Sequence, residues 1–155
     1  MAPLTDLTQV PDQPEVARLV AWNREAVEGA AFDRNELSIY VRRENIREAC
    51  AILRDASELR YNFLADLTAV DWYPSEPRFE VVFHLLSLPN KKRVRLKVRL
   101  AGNDARMESV TSVWPTANYY EREVFDLFGV HFDGHPYLRR LLMPEIGRAS
   151  CRERV

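Results

Sequence analysis

Thiols are scarce in this sequence. Cys50 and Cys151 are the two cysteines among 155 residues, too few for a four-thiolate zinc site or an iron–sulfur cluster, and no disulfide framework is implied. Long apolar runs are missing too. No charge-free stretch approaches the roughly 20 residues of a spanning helix, so a membrane role is expected only through a partner. Neither sign of charge is in excess. Lys plus Arg number 22 against 23 Asp plus Glu, a net charge of −1, which gives no general drive toward nucleic acid or an anionic bilayer. The opening Met1-Ala2-Pro3-Leu4-Thr5-Asp6 has no basic n-region and no apolar h-region, so a cytoplasmic location is expected. There is no Gly-rich phosphate loop after a strand, no G-x-S-x-G elbow and no Cys placed with a His as a nucleophile.

What is present is core material. At 46% hydrophobic, the chain can bury one core of ordinary domain size. Asp12 and Pro14 open an amphipathic stretch with Val16, Leu19, Val20 and Val27 at helical spacing, which predicts a first helix ending near Gly29. Leu37, Ile39 and Val41 then alternate with polar neighbours, the pattern of a half-buried strand. Ile46, Ala49, Cys50 and Leu53 fall at i, i+3, i+4 and i+7 and predict a core-facing helix in which Cys50 is a small buried hydrophobe. Phe63 to Trp72 reads as a second strand, closed by a turn at Pro74 and Pro77.

A long antiparallel hairpin follows. Phe79, Val81, Phe83 and Leu85 share one face; beyond Pro89-Asn90, Val94, Leu96, Val98 and Leu100 share another. Ala101 to Glu108 reads as a loop. A helix over about 117–128 is predicted to bury Tyr120, Val124, Leu127 and Phe128 and to stop at Gly129. The order helix, strand, helix, three strands, helix argues for a single α+β domain, a mixed or antiparallel sheet of about four strands covered by helices on one side.

The candidate chemistry is thin. Arg93, Arg95, Lys97 and Arg99 form a basic outer face that could grip a phosphate backbone, but the face itself carries no aromatics to stack bases. A solvated or partner-facing strand, with Glu80 absorbing part of the charge, is the plainer reading; the face could also dock an acidic partner. Glu121 and Glu123 suggest paired carboxylates, yet residues two apart on a helix project about 200° apart and cannot flank one substrate. Arg122 and Asp126, at i, i+4, read as an ion pair on the exposed side of the helix. His131 and His135, with Asp133 between, could supply metal ligands, but no third or fourth ligand stands at a plausible spacing, and Gly134-His135-Pro136 reads as a fixed turn.

One segment is far more specific. Glu121-Arg122-Glu123-Val124-Phe125-Asp126-Leu127-Phe128-Gly129, followed by His135-Pro136-Tyr137-Leu138-Arg139-Arg140-Leu141-Leu142-Met143-Pro144, resembles the signature of the 30 kDa subunit family of respiratory complex I, whose bacterial members are its C subunits. The charged E-R-E start, Asp126 before two apolars, His135 seven positions after Phe128 and Arg139 before Leu141-Leu142 carry the resemblance. It extends upstream through Asp66-Leu67-Thr68-Ala69-Val70-Asp71 and both hairpin strands, covering roughly residues 10 to 144.

The resemblance implies a non-catalytic subunit of NADH:quinone oxidoreductase. Such a subunit would bind no flavin, cluster or quinone of its own, and would have neither a catalytic nor a metal site. It would pack against the large, hydrogenase-like D subunit, the cluster-bearing B subunit and the I subunit, and would reach the cell inner membrane, from its cytoplasmic side, only through the complex. It implies contact residues at Glu121, Arg122, Glu123, Asp126, His135, Arg139 and Arg140. Related subunits occur in membrane-bound hydrogenases, which leaves the electron donor open. The family pattern stops at Pro144. Glu145 to Val155 reads as the in-frame translation of a sequencing adaptor, so residues 1–144 are expected to form the domain and 145–155 a non-native tail.

Overall fold

The structure is a computed structural model, and residues 13–136 are described. In chain order it runs α1 (Pro14–Trp22), β1 (Val27–Asp33), β2 (Glu36–Val41), α2 (Ile46–Asp55), β3 (Phe63–Asp71), β4 (Phe79–Ser87), β5 (Lys92–Leu100), β6 (Arg106–Glu108), α3 (Ala117–Phe128) and β7 (His131–Asp133). Five strands make a mixed sheet in the order β1-β2-β5-β4-β3; β6 and β7 pair separately in parallel. The fold is therefore α+β, as the element order implies. The main sheet has one strand more than the expected four.

The extra strand comes from the first predicted helix. That helix ends at Trp22, where Asn23 turns extended and its side chain accepts a hydrogen bond from Glu25 N–H. Val27, counted above as a helical core position, instead opens β1 and pairs with Val41. Two things hide β1 from a propensity reading. Gly29, Ala30 and Ala31 are poor strand formers, and the β1–β2 turn is made by Arg34 and Asn35, both with positive φ (53° and 63°). Such a turn is ordinarily announced by Asn-Gly. A second difference lies in the predicted loop at 101–108, whose end forms β6.

The remaining strands follow their patterns. β4 and β5 pair antiparallel from Phe79↔Leu100 to Ser87↔Lys92, so Val81, Phe83, Leu85, Val94, Leu96 and Val98 fall on one face. That face, with Ile39 and Leu67, meets Ile46, Ala49, Cys50 and Leu53 of α2 and Leu19 of α1 in one core. Cys50 is buried there. Polar staples fasten the segment after α2: the Tyr61 hydroxyl donates to Glu15 at 2.8 Å, Trp114 Nε1 donates to Tyr61 O at 3.1 Å, and Ser87 Oγ donates to Leu59 O at 2.8 Å.

β2 departs from the half-buried expectation, because Leu37 to Val41 are buried on both faces. The roof over its outer side is built from the basic strand. Arg99 stacks on the Tyr40 ring at 4.5 Å and Lys97 lies 5.5 Å from it. Glu80 faces both cations, 3.7 Å from Lys97 and 4.0 Å from Arg99, and Arg95 pairs with Glu36. An aromatic does stand by the basic face, contributed by β2. At 3% exposure, Tyr40 has no surface to offer a nucleobase.

Candidate functional site

The signature segment folds into α3 and the strand after it. Pro115 and Thr116 lead into the helix, and Gly129, left-handed at φ 76°, ends it with its N–H on Phe125 O. The chain then doubles back as β7, held by His131 N–H on Ala105 O at 2.9 Å and by Ser109 N–H on Asp133 O at 2.8 Å. α3 lies along β3, with the Tyr120 hydroxyl donating to Ala65 O at 3.1 Å and Phe128 meeting Phe79 edge-on at 6.4 Å.

The face that α3 buries is rotated from the predicted one. Ala117, Glu121, Val124, Phe125 and Asp126 are inside, while Leu127 is 49% exposed. Treating every carboxylate as an outside residue misplaces the stripe, since two of the inward positions are acids. Asp126 is accordingly buried, not on the exposed side of the helix.

Glu121 is wholly enclosed at 0% exposure. Ser109 Oγ donates to its Oε1 at 2.6 Å, and the Val110 N–H donates to its Oε2 at 2.7 Å. Thr111 completes the wrap, its hydroxyl 2.9 Å from Ser109 Oγ. The His135 ring is equally enclosed, with Nε2 3.9 Å from Glu121 Oε1 and 3.1 Å from the Asn118 carbonyl, which makes Nε2 the protonated nitrogen. Burial pushes the Glu121 carboxyl up to about 7, opposed by the bonds from Ser109 and Val110. Burial also depresses His135, against the hydrogen bond to Asn118, and the Arg122 charge depresses it further. Burial, with the nearby Glu121 charge, raises the Cys50 thiol well above its ordinary value.

Five of the seven expected contact residues are described, and they are dispersed. Glu121 and His135 come together inside the chain and Asp126 is buried; Arg122 and Glu123 are half-buried on the outward side of α3. Arg139 and Arg140 lie outside the described residues. Around Glu123 the helix exposes Tyr119, at 53%, and Leu127, which give its outward stripe an apolar character that the sequence pattern does not announce. Ser109 and the Val110 amide escape a sequence reading as well. They reach Glu121 from a loop 11 and 12 residues upstream, and no helical or strand period connects them. His131 is exposed and pairs with Asp133 at 3.8 Å, and Asp133 in turn takes a 2.6 Å bond from Arg106. Among the described residues, no group of three or more His, Cys, Asp or Glu could hold a metal, and no helix is long and apolar enough to cross a membrane.

Two grooves among the described residues lie elsewhere. One of about 450 Å³ is lined by Asp66, His84, Arg93 and Arg95 at one end of the sheet, and another of about 260 Å³ by Arg43, Asp104, Arg106 and Asp133. Neither opens onto Glu121 or His135.

Comparison with known proteins agrees with the signature. The model of the respiratory-chain NADH dehydrogenase 30 kDa subunit family matches residues 39–148. The C subunit of NADH-quinone oxidoreductase from Roseiflexus sp. (strain RS-1) is 51% identical over 128 residues, covering 83% of this chain and 74% of that protein. Its counterpart in Roseiflexus castenholzii is 50% identical over 135 residues, covering 86% and 78%. Among solved structures, the trypsin-resistant fragment of Nqo5 superposes with a TM-score of 0.67 at 32% identity, covering 80% of this chain and 99% of the fragment. A chain of the membrane-bound sulfane sulfur reductase, an archaeal respiratory membrane complex, gives a TM-score of 0.65 at 29% identity, covering 84% and 74%. The chain therefore belongs to the 30 kDa subunit family of the respiratory-chain NADH dehydrogenase, the family that includes the C subunits of NADH-quinone oxidoreductase.

Proposed function

We propose that the chain works as a scaffold within the peripheral arm of NADH:quinone oxidoreductase, with no active site of its own. It supports electron transfer from NADH to quinone by holding other subunits in place. The observation that carries this reading is the division of α3: its acids at 121 and 126 are buried for the chain's own fold, and its outward stripe of Tyr119, Glu123 and Leu127 is left to a neighbour. By resemblance that neighbour is the hydrogenase-like D subunit, with the B and I subunits close by, on the cytoplasmic side of the inner membrane. Glu121, Asp126 and His135 then serve the interface by positioning α3 and β7; Arg122 and Glu123 reach the partner directly, with Arg139 and Arg140 on the segment beyond.

The test is coelution of the full chain with a homologue of the hydrogenase-like large subunit on size exclusion, using Glu123→Lys with Leu127→Asp as the interface variant. Stable coelution lost in the variant supports the reading. A folded variant that coelutes as well as the wild type overturns the placement of the interface on α3. The likeness to the sulfane sulfur reductase favours a second reading, membership of a related complex with another electron donor. Restoring NADH:quinone reductase activity in a strain lacking its own 30 kDa-type subunit separates the two. The division of the chain into a domain at 1–144 and a foreign tail at 145–155 stays part of the proposal, although the family match runs to residue 148. Sequencing the genomic locus beyond codon 144 decides it.

A further inference from the structure

We infer that the end of the sheet where β1 turns into β2 and β4 into β5 is a second docking surface, which takes an extended, acidic segment of a partner protein laid across the strand ends. The register brings its parts together. Phe63 pairs with Leu86, Leu86 with Arg93, Leu37 with Val94 and Asp33 with Glu36, so all five strands present one end here. The turn at 88–91 is tied to the chain leading into β3, since Asn90 Nδ2 donates to Glu58 O and Leu59 O at 3.2 and 3.0 Å.

Charge is left over at this end. Its acids are already held: Glu36 by Arg95, Glu58 by Arg18 at 3.4 Å, Glu15 by Lys92 at 3.8 Å and Asp66 by His84 at 3.7 Å. Arg34, Arg60, Lys91 and Arg93 are exposed and make no ion pair with any described residue. Asp33, beside Arg34 in the chain, cannot offset all four. At the opposite end the arginines are matched, Arg78 with Asp71 at 2.9 Å and Arg43 with Asp104 at 2.6 Å.

The backbone singles out the same place. Among the described residues, the non-glycines with positive φ are Arg34, Asn35, Arg60 and Lys91, between 52° and 63°. Asn enters that region readily; Arg and Lys seldom do, and Gly would fill each corner without steric cost. All four corners lie at this end, and the three unfavourable ones carry cations. A charge that only solvates needs no such corner, whereas one that must stand at a fixed point on a binding surface does.

Shape selects the occupant. Two grooves of about 450 and 420 Å³ share Glu36, Leu37 and Arg93; Leu86 and Val94 line the first and Phe32 the second. Phe32, Phe63 and Leu88 add apolar surface, 39%, 44% and 60% exposed. β1 and β3 are the outermost of the five strands. Phe32 and Phe63 therefore stand roughly 19 Å apart at about 4.8 Å per strand, the reach of about six extended residues. Successive stacked bases need neighbouring aromatics, and a lipid surface needs a continuous apolar face; this end has neither. A peptide with carboxylates on Arg93 and the corner cations, and apolar side chains in the grooves, matches both its charge and its shape. None of the residues involved belongs to α3, so the inference stands apart from the interface proposed there.

The experiment follows the anisotropy of a fluorescein-labelled peptide of alternating Glu and Leu as the full chain is added. The wild type should bind, about tenfold more weakly when salt is raised from low to well above physiological strength. Replacing Arg34, Arg60 and Lys91 together by Gly removes charge from corners that suit Gly. Binding should then fall about tenfold while the urea midpoint holds or rises. A peptide of alternating Glu and Ser should bind at least about fivefold more weakly than the Glu-Leu peptide. Several results overturn the inference: no binding at millimolar peptide, equal affinity for the Glu-Ser peptide, or full binding by the glycine variant. A glycine variant that loses stability does so as well, because the corners would then favour Arg and Lys. So does preference for phosphatidylserine vesicles or a single-stranded oligonucleotide over the peptide.

Discussion

Glu80 and Glu121 are both almost fully buried, at 3% and 0% exposure, yet their surroundings are built on opposite plans. Glu80, on the outer face of the sheet, is matched by cations: Lys97 and Arg99 flank it, with their charged ends over the Tyr40 ring. Glu121, in the seam between α3 and the 109–111 loop, meets neutral donors and a histidine whose own charge is disfavoured. The first site sets two cations against its carboxylate; the second offers neutral donors, and burial pushes its carboxyl up to about 7. Burial alone therefore does not say what a carboxylate does. The nearest cation decides whether the site responds to salt or to pH.

The sharpest way to break this comparison is to reverse charge at each end of the E-R-E motif. Glu121→Lys places an ammonium in a closed site beside His135 and near Arg122, and should cost more than about 4 kcal/mol, enough to abolish cooperative folding. Glu123→Lys, two residues along and on the outward side, should shift stability by less than about 0.5 kcal/mol and be felt only in partner binding. Circular dichroism melts of the two variants check this; equal losses would mean that the inside and outside of α3 are wrongly assigned. The middle-sized effect belongs to the sheet. Glu80→Gln removes the anion that Lys97 and Arg99 both face and should cost about 1–3 kcal/mol, part of it recovered in 1 M salt by screening. Salt should recover nothing in Glu121→Gln at pH 5, where no charge has been removed.

This contrast also marks how much of the fold and the site is legible in the sequence. Where side chains are sorted by a simple period, the reading succeeds: the 46–53 stripe of α2, the alternating faces of β4 and β5 and the Gly129 stop all stand in the structure. It fails where a local rule is broken. β1 escapes because Gly29-Ala30-Ala31 lacks strand character and Arg34 takes a left-handed φ that arginine rarely adopts. The face of α3 is misjudged because Glu121 and Asp126 point inward, and nothing within the helix announces the Ser109 and Val110 donors that make this tolerable. The motif is recognisable as a string before its parts can be assigned. As a string its acids read as contact residues, whereas the structure gives Glu121 to the interior.

The finest test weighs the two cations of Glu80 against each other. Lys97→Met keeps most of the aliphatic stem and removes the ammonium, 3.7 Å from Glu80 and 5.5 Å from the Tyr40 ring centre, on a side chain that is 18% exposed like that of Arg99. Because Arg99 remains, stacked on the same ring at 4.5 Å, the loss should be small, about 0.5 kcal/mol. In the background of Glu80→Gln the same substitution should turn neutral or stabilising, since it then relieves repulsion between two cations instead of removing an attraction. A double-mutant cycle by urea unfolding gives the coupling directly. A coupling near zero would mean that Lys97 is held by its stem alone. Arg99 would then be the cation that allows the sheet to bury Glu80, and the two-cation plan would reduce to one.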